Sequence, residues 1–162
     1  MNSYHIIDSN VIAIANGLHG DASIECMQSS ISFLKKIEEI VMRKDDVFFI
    51  YDTSFVILNE YFKHCGKGTE QKLGTVFYKW IHRNFNNSKI ITQQNLPIEI
   101  ENNDELLPPC FDGFDRNDRK YLFLALQFKE FGPNLHYSID RGYQRYRQCF
   151  VEENIELSRL CD

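Results

Sequence analysis

Four carboxylates in this chain interrupt or abut apolar sequence, and they are the residues best suited to chemistry. Asp8 follows Ile6-Ile7, and Glu60 is the only acid between Phe55 and Phe62. Asp118 comes just before the apolar run Tyr121 to Leu126, and Asp140 follows Ile139. Were the four to converge, each pair of charges about 5 Å apart would repel by about 3 kcal/mol at an effective dielectric near 20. Such a cluster persists only when protons or cations neutralise it. All-oxygen ligation suits the hard cations Mg²⁺ and Mn²⁺. A bound ion of that kind makes a water nucleophilic and offsets charge building on a phosphate, so the pattern points to phosphoryl chemistry.

Each acid also has a plain structural role open to it. Asp8 can cap a turn. Asp118 can complete a capping box with Asp115 as N-cap, or complement a helix dipole. Glu60 can be a solvent-facing helix residue, and Asp140 can pair with Arg141 or Arg145. Asp112 and Asp115, three residues apart, are the alternatives to Asp118 as the third ligand. The joint pattern is what favours one shared site. The five histidines, at 5, 19, 64, 82 and 136, have no pairwise ligand spacing, and His5 and His136 read as packed strand residues.

The remaining chemistry is basic or sulfur-based. Arg116, Arg119 and Lys120 surround one acidic motif; Arg141, Arg145 and Arg147, interleaved with Tyr143 and Tyr146, follow another. Phosphate contacts combined with aromatic stacking hold single strands without strong sequence readout, although an ordinary solvated helix face has the same composition. Lys63, Lys67, Lys72, Lys79 and Arg83 would extend the track. The five cysteines (26, 65, 110, 149 and 161) are scattered and include no Cys-x-x-Cys pair. Neither a zinc knuckle nor a disulfide framework is expected, so reduced, mostly buried thiols are the reading.

The elements that must position these residues alternate between strand and helix. Short strands are expected at Tyr4 to Ile7, Val47 to Tyr51, Lys89 to Thr92 and Leu135 to Ile139, with a fifth near Ile155 to Leu157. Helices are expected from Ala22 to Arg43, where Ile24, Met27, Ile31, Leu34, Ile37 and Val41 recur at three or four residues, and through Phe55, Leu58 and Phe62, capped by Asp52, Thr53 or Ser54. Gly66 and Gly68 break the latter. Further helices are expected at Leu73 to Phe85, Arg119 to Phe131 and, shorter, Tyr143 to Phe150. The stretch Gln93 to Asn117, with three prolines and six acids, lacks periodicity. Strands separated by helices imply right-handed crossovers, hence an α/β three-layer sandwich with a central parallel sheet of four or five strands. Ligands in such folds gather at the carboxyl ends of the strands, where Asp8 and Asp140 fall.

The order and spacing of Ile6-Ile7-Asp8-Ser9-Asn10-Val11, Glu60, Asp118-Arg119-Lys120-Tyr121 and Tyr137-Ser138-Ile139-Asp140-Arg141 resemble the PIN domain family of metal-dependent nucleases, from roughly Tyr4 to Leu157. The resemblance implies an α/β/α sandwich that cleaves single-stranded RNA with Mg²⁺ or Mn²⁺, often as a bacterial toxin held by a protein antitoxin, with a homodimer by analogy. Asp8, Glu60, Asp118 and Asp140 would hold the metal, with Asp115 as a further ligand. Asn10, Arg119, Arg141 and Arg145 would contact the substrate. The chain departs from the family where many members carry another acid after the last Asp, since Gly142 and Tyr143 stand there. The 93–117 stretch is also long and acidic.

Size and composition bound these readings. At 162 residues the chain is one domain's length. Its 43% apolar, 25% charged and 14% aromatic content is globular. A net charge of −5 is not that of a protein coating nucleic acid by bulk charge. No apolar run approaches a membrane span and no secretory start is present, so a cytoplasmic protein without a membrane partner is expected. Two rival functions stay open. One is a haloacid-dehalogenase-like phosphatase with Asp8 as nucleophile, which usually needs an acid where Asn10 stands. The other is a catalytically decayed PIN-like interaction module.

Overall fold

A computed structural model of the chain describes residues 1–66 and 71–162. Five strands form one all-parallel sheet: β1 (Ser3–Ile7), β2 (Val47–Asp52), β3 (Ile91–Gln94), β4 (Asn134–Tyr137) and β5 (Glu156–Arg159), in the spatial order β3-β2-β1-β4-β5. Register pairs His5 with Phe49 on one side and Ile7 with His136 on the other. Strand order therefore reverses between β1 and β4, which is the crevice where ligands bind in doubly wound sheets.

The helices are α1 (Ser9–Ala15), α2 (Ile24–Arg43), α3 (Val56–Lys63), α4 (Leu73–Asn84), α5 (Arg119–Gln127), α6 (Arg141–Arg145) and α7 (Arg147–Glu152). The first four pack on one another, while α5 lies against β1, β2 and β4 and α7 against β5. The result is the expected three-layer α/β sandwich. Its central strands are buried on both faces, which is why Val47-Phe48-Phe49-Ile50-Tyr51 reads as a continuous apolar run instead of alternating.

Several boundaries depart from expectation for local reasons. Helix α1 was not anticipated: Val11 to Ala15 is apolar on all sides because the helix is buried all round. Ahead of α3, Phe55 adopts a left-handed conformation (φ 62°), and the buried Asp52 carboxylate accepts the amides of Ser54, Val56 and Ile57 across that bend. Of the three candidate caps, Asp52 does this work. The expected helix to Phe131 is α5 plus a separate 3₁₀ turn at Lys129–Phe131, and the expected Tyr143 to Phe150 helix is two short ones. Strand β4 stops at Tyr137, so Asp140 lies three residues beyond it, as the residue before α6. The aperiodic stretch holds three 3₁₀ turns, Asp104–Leu106, Pro109–Phe111 and Arg116–Asp118. Gly68 and Lys67 lie outside the described residues.

The cysteine reading is corrected. Cys26 is bonded to Cys161 and Cys110 to Cys149, with Cα–Cα separations of 4.9 and 5.8 Å. Sequence separations of 135 and 39 residues hid both pairs. Cys65 alone is free. His5 and His136 are packed strand residues as expected, their rings stacked at 5.2 Å and joined Nδ1 to Nε2 at 2.9 Å. Burial lowers their pKa values to about 4 and about 3, so this pair stays neutral in the interior. Among the described residues, no helix is long and apolar enough to cross a membrane.

Candidate active site

Asp8 ends β1 and starts α1. Its backbone amide donates to the His136 carbonyl, which locks it to β4 at the reversal of strand order. Its side chain is 1% exposed. Oδ1 accepts from the Asn10 amide at 2.7 Å and Oδ2 from the Tyr143 hydroxyl at 2.6 Å. The turn-capping role is therefore real, and it coexists with a place in the cleft. Burial pushes the Asp8 carboxyl up to about 6, with a further push from Asp140; Tyr143, Asn10 and Lys120 pull the other way.

Asp118 is held by the start of α5. Asp115, not Asp118, spends its carboxylate on capping, by accepting the Asn117 amide at 2.8 Å. The Asp118 side chain makes no capping bond. Burial first, then the charges of Asp8, Asp140 and Asp115, raise its carboxyl to about 9, and it lies within hydrogen-bonding reach of Asp140. Asp140 itself accepts the Gly142 amide at 2.6 Å and forms no ion pair with Arg141 or Arg145 among the described residues.

Glu60 projects from α3 into the same depression. Oε1 lies 2.8 Å from the Lys120 ammonium and Oε2 accepts the Tyr121 hydroxyl at 2.8 Å. Tyr121 in turn accepts the Ser9 amide at 3.1 Å, and Tyr61 donates to the Ile7 carbonyl at 2.5 Å. Buried tyrosines thus tie α3, α5 and α6 to the end of β1. Burial and the adjoining carboxylates raise the Tyr121 and Tyr143 hydroxyls well above the ordinary tyrosine value, which keeps both as donors.

All four expected acids therefore line one cleft of about 310 Å³, together with Asp115, Asn10, Ser9, Lys63, His64, Asn117 and Lys120. Four distant stretches of chain meet there. The oxygen-only acids match a hard cation by type. Among the described residues, however, no group of three His, Cys, Asp or Glu side chains is drawn together as a metal-holding cluster. Both Asp8 oxygens and both Glu60 oxygens already accept protein donors; Asp118 and Asp140 are the acids least committed elsewhere.

The expected substrate contacts divide. Asn10 lines the cleft, whereas Arg141 and Arg145 are exposed and outside its lining. Arg119 is corrected. Its side chain is 4% exposed and its guanidinium pairs with Asp104 and reaches the carbonyls of Phe114, at 3.3 Å, and Glu101. It pins the acidic stretch to α5, beside an apolar depression of about 530 Å³ lined by Leu107, Pro108, Pro109 and Phe111. Asp112 lines that depression and not the cleft.

Sequence reasoning missed two groups. Lys120 and Tyr143 read as nucleic-acid contacts, yet Lys120 is 2% exposed and Tyr143 is fully buried against Asp8. A signal for Lys120 was present: it lies four residues before Leu124, on the buried face of α5.

Comparison with family descriptions, curated proteins and solved structures finds no match to this chain.

Proposed function

We propose that this protein is a metal-dependent endoribonuclease of PIN-like type, cutting single-stranded RNA at the cleft between β1 and β4. The observation that carries this reading is the meeting of Asp8, Glu60, Asp118 and Asp140 in one cleft at the reversal of strand order. Asp8, Glu60, Asp118 and Asp140 would hold Mg²⁺ or Mn²⁺, with Asp115 at the rim. A divalent ion there supplies an activated water and charge compensation at the scissile phosphate. The chain's own part is to keep the acids in place. Tyr143 and the Asn10 amide orient Asp8, the Gly142 amide orients Asp140, and Asn10, Lys63, His64 and Asn117 offer polar contacts to a strand at the rim.

A protein antitoxin and a homodimer belong to this reading through the family resemblance alone, as does the choice of RNA over DNA. A cytoplasmic setting is kept with it as part of the proposal, and a thiol count on protein denatured and alkylated at lysis tests it: five alkylated cysteines fit a reducing compartment, whereas one, Cys65, means that both disulfides form in the cell and overturns that setting. The phosphatase reading lacks its second acid, since Asn10 stands where that chemistry usually places one, and a covalent aspartyl-phosphate trapped at Asp8 would favour it.

The test is cleavage of labelled single-stranded RNA by purified protein with Mn²⁺. EDTA and Asp8→Asn are each expected to reduce the rate at least a hundredfold. An Asp8→Asn protein that cuts at the full rate overturns the assignment. The interaction-module alternative predicts instead no Mn²⁺ binding at millimolar levels by calorimetry, together with a stable partner in pull-downs.

A further inference from the structure

Beside the acidic cleft, two arginines share a second pocket without carboxylate partners. Tyr137 ends β4, Arg159 ends β5, and the two are register partners at the carboxyl edge of the sheet. With Leu157 from β5, Gln144 from α6 and Arg147 from the start of α7, they line a pocket of about 390 Å³. Arg147 and Arg159 are exposed, and neither guanidinium forms an ion pair among the described residues. Tyr137 is buried in the pocket wall. Burial raises its hydroxyl above the ordinary tyrosine value, while Arg159, Gln144 and Arg147 pull it down and Asp140 pushes it up. The Tyr137 ring packs on Tyr143 at 4.8 Å, and the Tyr143 hydroxyl donates to Asp8. Tyr143 thus stands between this pocket and the cleft.

We propose that the pocket of Tyr137, Gln144, Arg147, Leu157 and Arg159 is a nucleotide subsite that binds one phosphate of a single-stranded nucleic acid, with its nucleoside, as the strand leaves the cleft. This inference rests on the nuclease reading of the cleft. Two like charges lining one pocket without a counterion are the electrostatic complement of an anion. A guanidinium presents paired donors that match phosphate, and the tyrosine hydroxyl and glutamine amide add further donors. The volume is that of a small-molecule pocket and not of a niche for one ion. Leu157 and the Tyr137 ring give apolar surface for a sugar or base. The carboxyl edge of a parallel sheet is also where ligands gather, and Asp8 lies on the same edge. No bond is made or broken in this pocket, so Arg147 and Arg159 are positioning residues.

The test is a titration of the full chain with a short oligouridylate, in EDTA and again in Ca²⁺, read by the NMR signals of the arginine Nε–H groups and by fluorescence anisotropy. The Arg147 and Arg159 signals are expected to shift and saturate together, while that of Arg43 stays still. Arg147→Gln/Arg159→Gln is expected to weaken binding about tenfold or more and to reduce the salt slope by about 0.7, the value for one phosphate contact on a single strand. Arg43→Gln/Lys44→Gln removes the same charge just before β2, at the opposite edge of the sheet, and is expected to change the Kd by about twofold or less. Binding with the Arg147 and Arg159 signals unmoved, or equal losses in the two double variants, would overturn the subsite and leave the nuclease reading standing. A glutamate-rich peptide that moves the same signals at lower concentration would assign the pocket to an acidic protein partner and overturn it too. No binding of the strand in either buffer overturns both the nuclease reading and this inference.

Discussion

Asp118 shows how one side chain sets a molecule's response to pH. Its carboxyl is raised to about 9 in the folded chain, first by burial and then by Asp8, Asp140 and Asp115. A raised carboxyl binds its proton more tightly when folded than when unfolded. Its contribution to stability is therefore complete below about pH 4 and is lost as pH climbs through the folded value near 9. Asp118→Asn removes that loss. In metal-free buffer at pH 8 the variant is expected to be more stable by about 2 kcal/mol, since Asp140 takes up part of the lost interaction, and the gain should vanish near pH 4. Urea unfolding at several pH values measures it. A variant no more stable than wild type at pH 8 would contradict the crowding of acids described here. Asp8 behaves in the same direction over a narrower window, from about 4 to about 6.

At the level of elements, the seat of α1 against α4 decides how firmly the Asp8 end of the sheet is braced. Asn16, at the end of α1, donates to the His64 carbonyl at 2.8 Å and to Thr75 Oγ1 at 3.1 Å, and accepts the Thr75 amide at 3.2 Å. This contact is possible because Gly74 has no side chain: a Cβ there would come within 2.6 Å of the Ile12 carbonyl and 2.7 Å of Asn16 Oδ1. Gly74→Ala is expected to cost about 1–3 kcal/mol by overpacking, read as a lower denaturation midpoint. Gly20→Ala, which meets nothing within 4 Å, serves as the neutral comparison. Equal stabilities of the two variants would refute the close approach. Helix α2 was legible because its buried Cys26, Ser30, Leu34, Ile37 and Val41 follow the helical repeat. Helix α1 was not, since burial on every side erases the periodicity that sequence reading depends on.

For the whole molecule, the two disulfides tie ends of the fold that the sheet alone does not join. Cys26–Cys161 fastens the start of α2 to the tail after β5, and Cys110–Cys149 fastens the acidic stretch to α7. Closing loops of 135 and 39 residues in the unfolded chain is worth about 5 and about 4 kcal/mol by loop entropy. Paired Ser substitutions are expected to lower the melting temperature, Cys26/Cys161 by slightly more than Cys110/Cys149. A reductant should reproduce both losses in the wild type and leave the double-pair variant unmoved. An unchanged melting temperature under reductant would mean that neither bond braces the chain.

The alternation of apolar strands with periodic helices was enough by itself to determine a parallel α/β sandwich, because strand and helix periodicities are local properties of the chain. The four acids stood out for a similar reason: each charge sits where neighbouring residues are apolar, which singles out Asp8, Glu60, Asp118 and Asp140 without coordinates. Only tertiary structure could decide their company. It alone brought Lys120 onto Glu60, Tyr143 onto Asp8 and Asp104 onto Arg119, and joined cysteines far apart in the chain. Contacts across 15 to 135 residues leave no periodic trace; they arise from how the helices lie on the sheet.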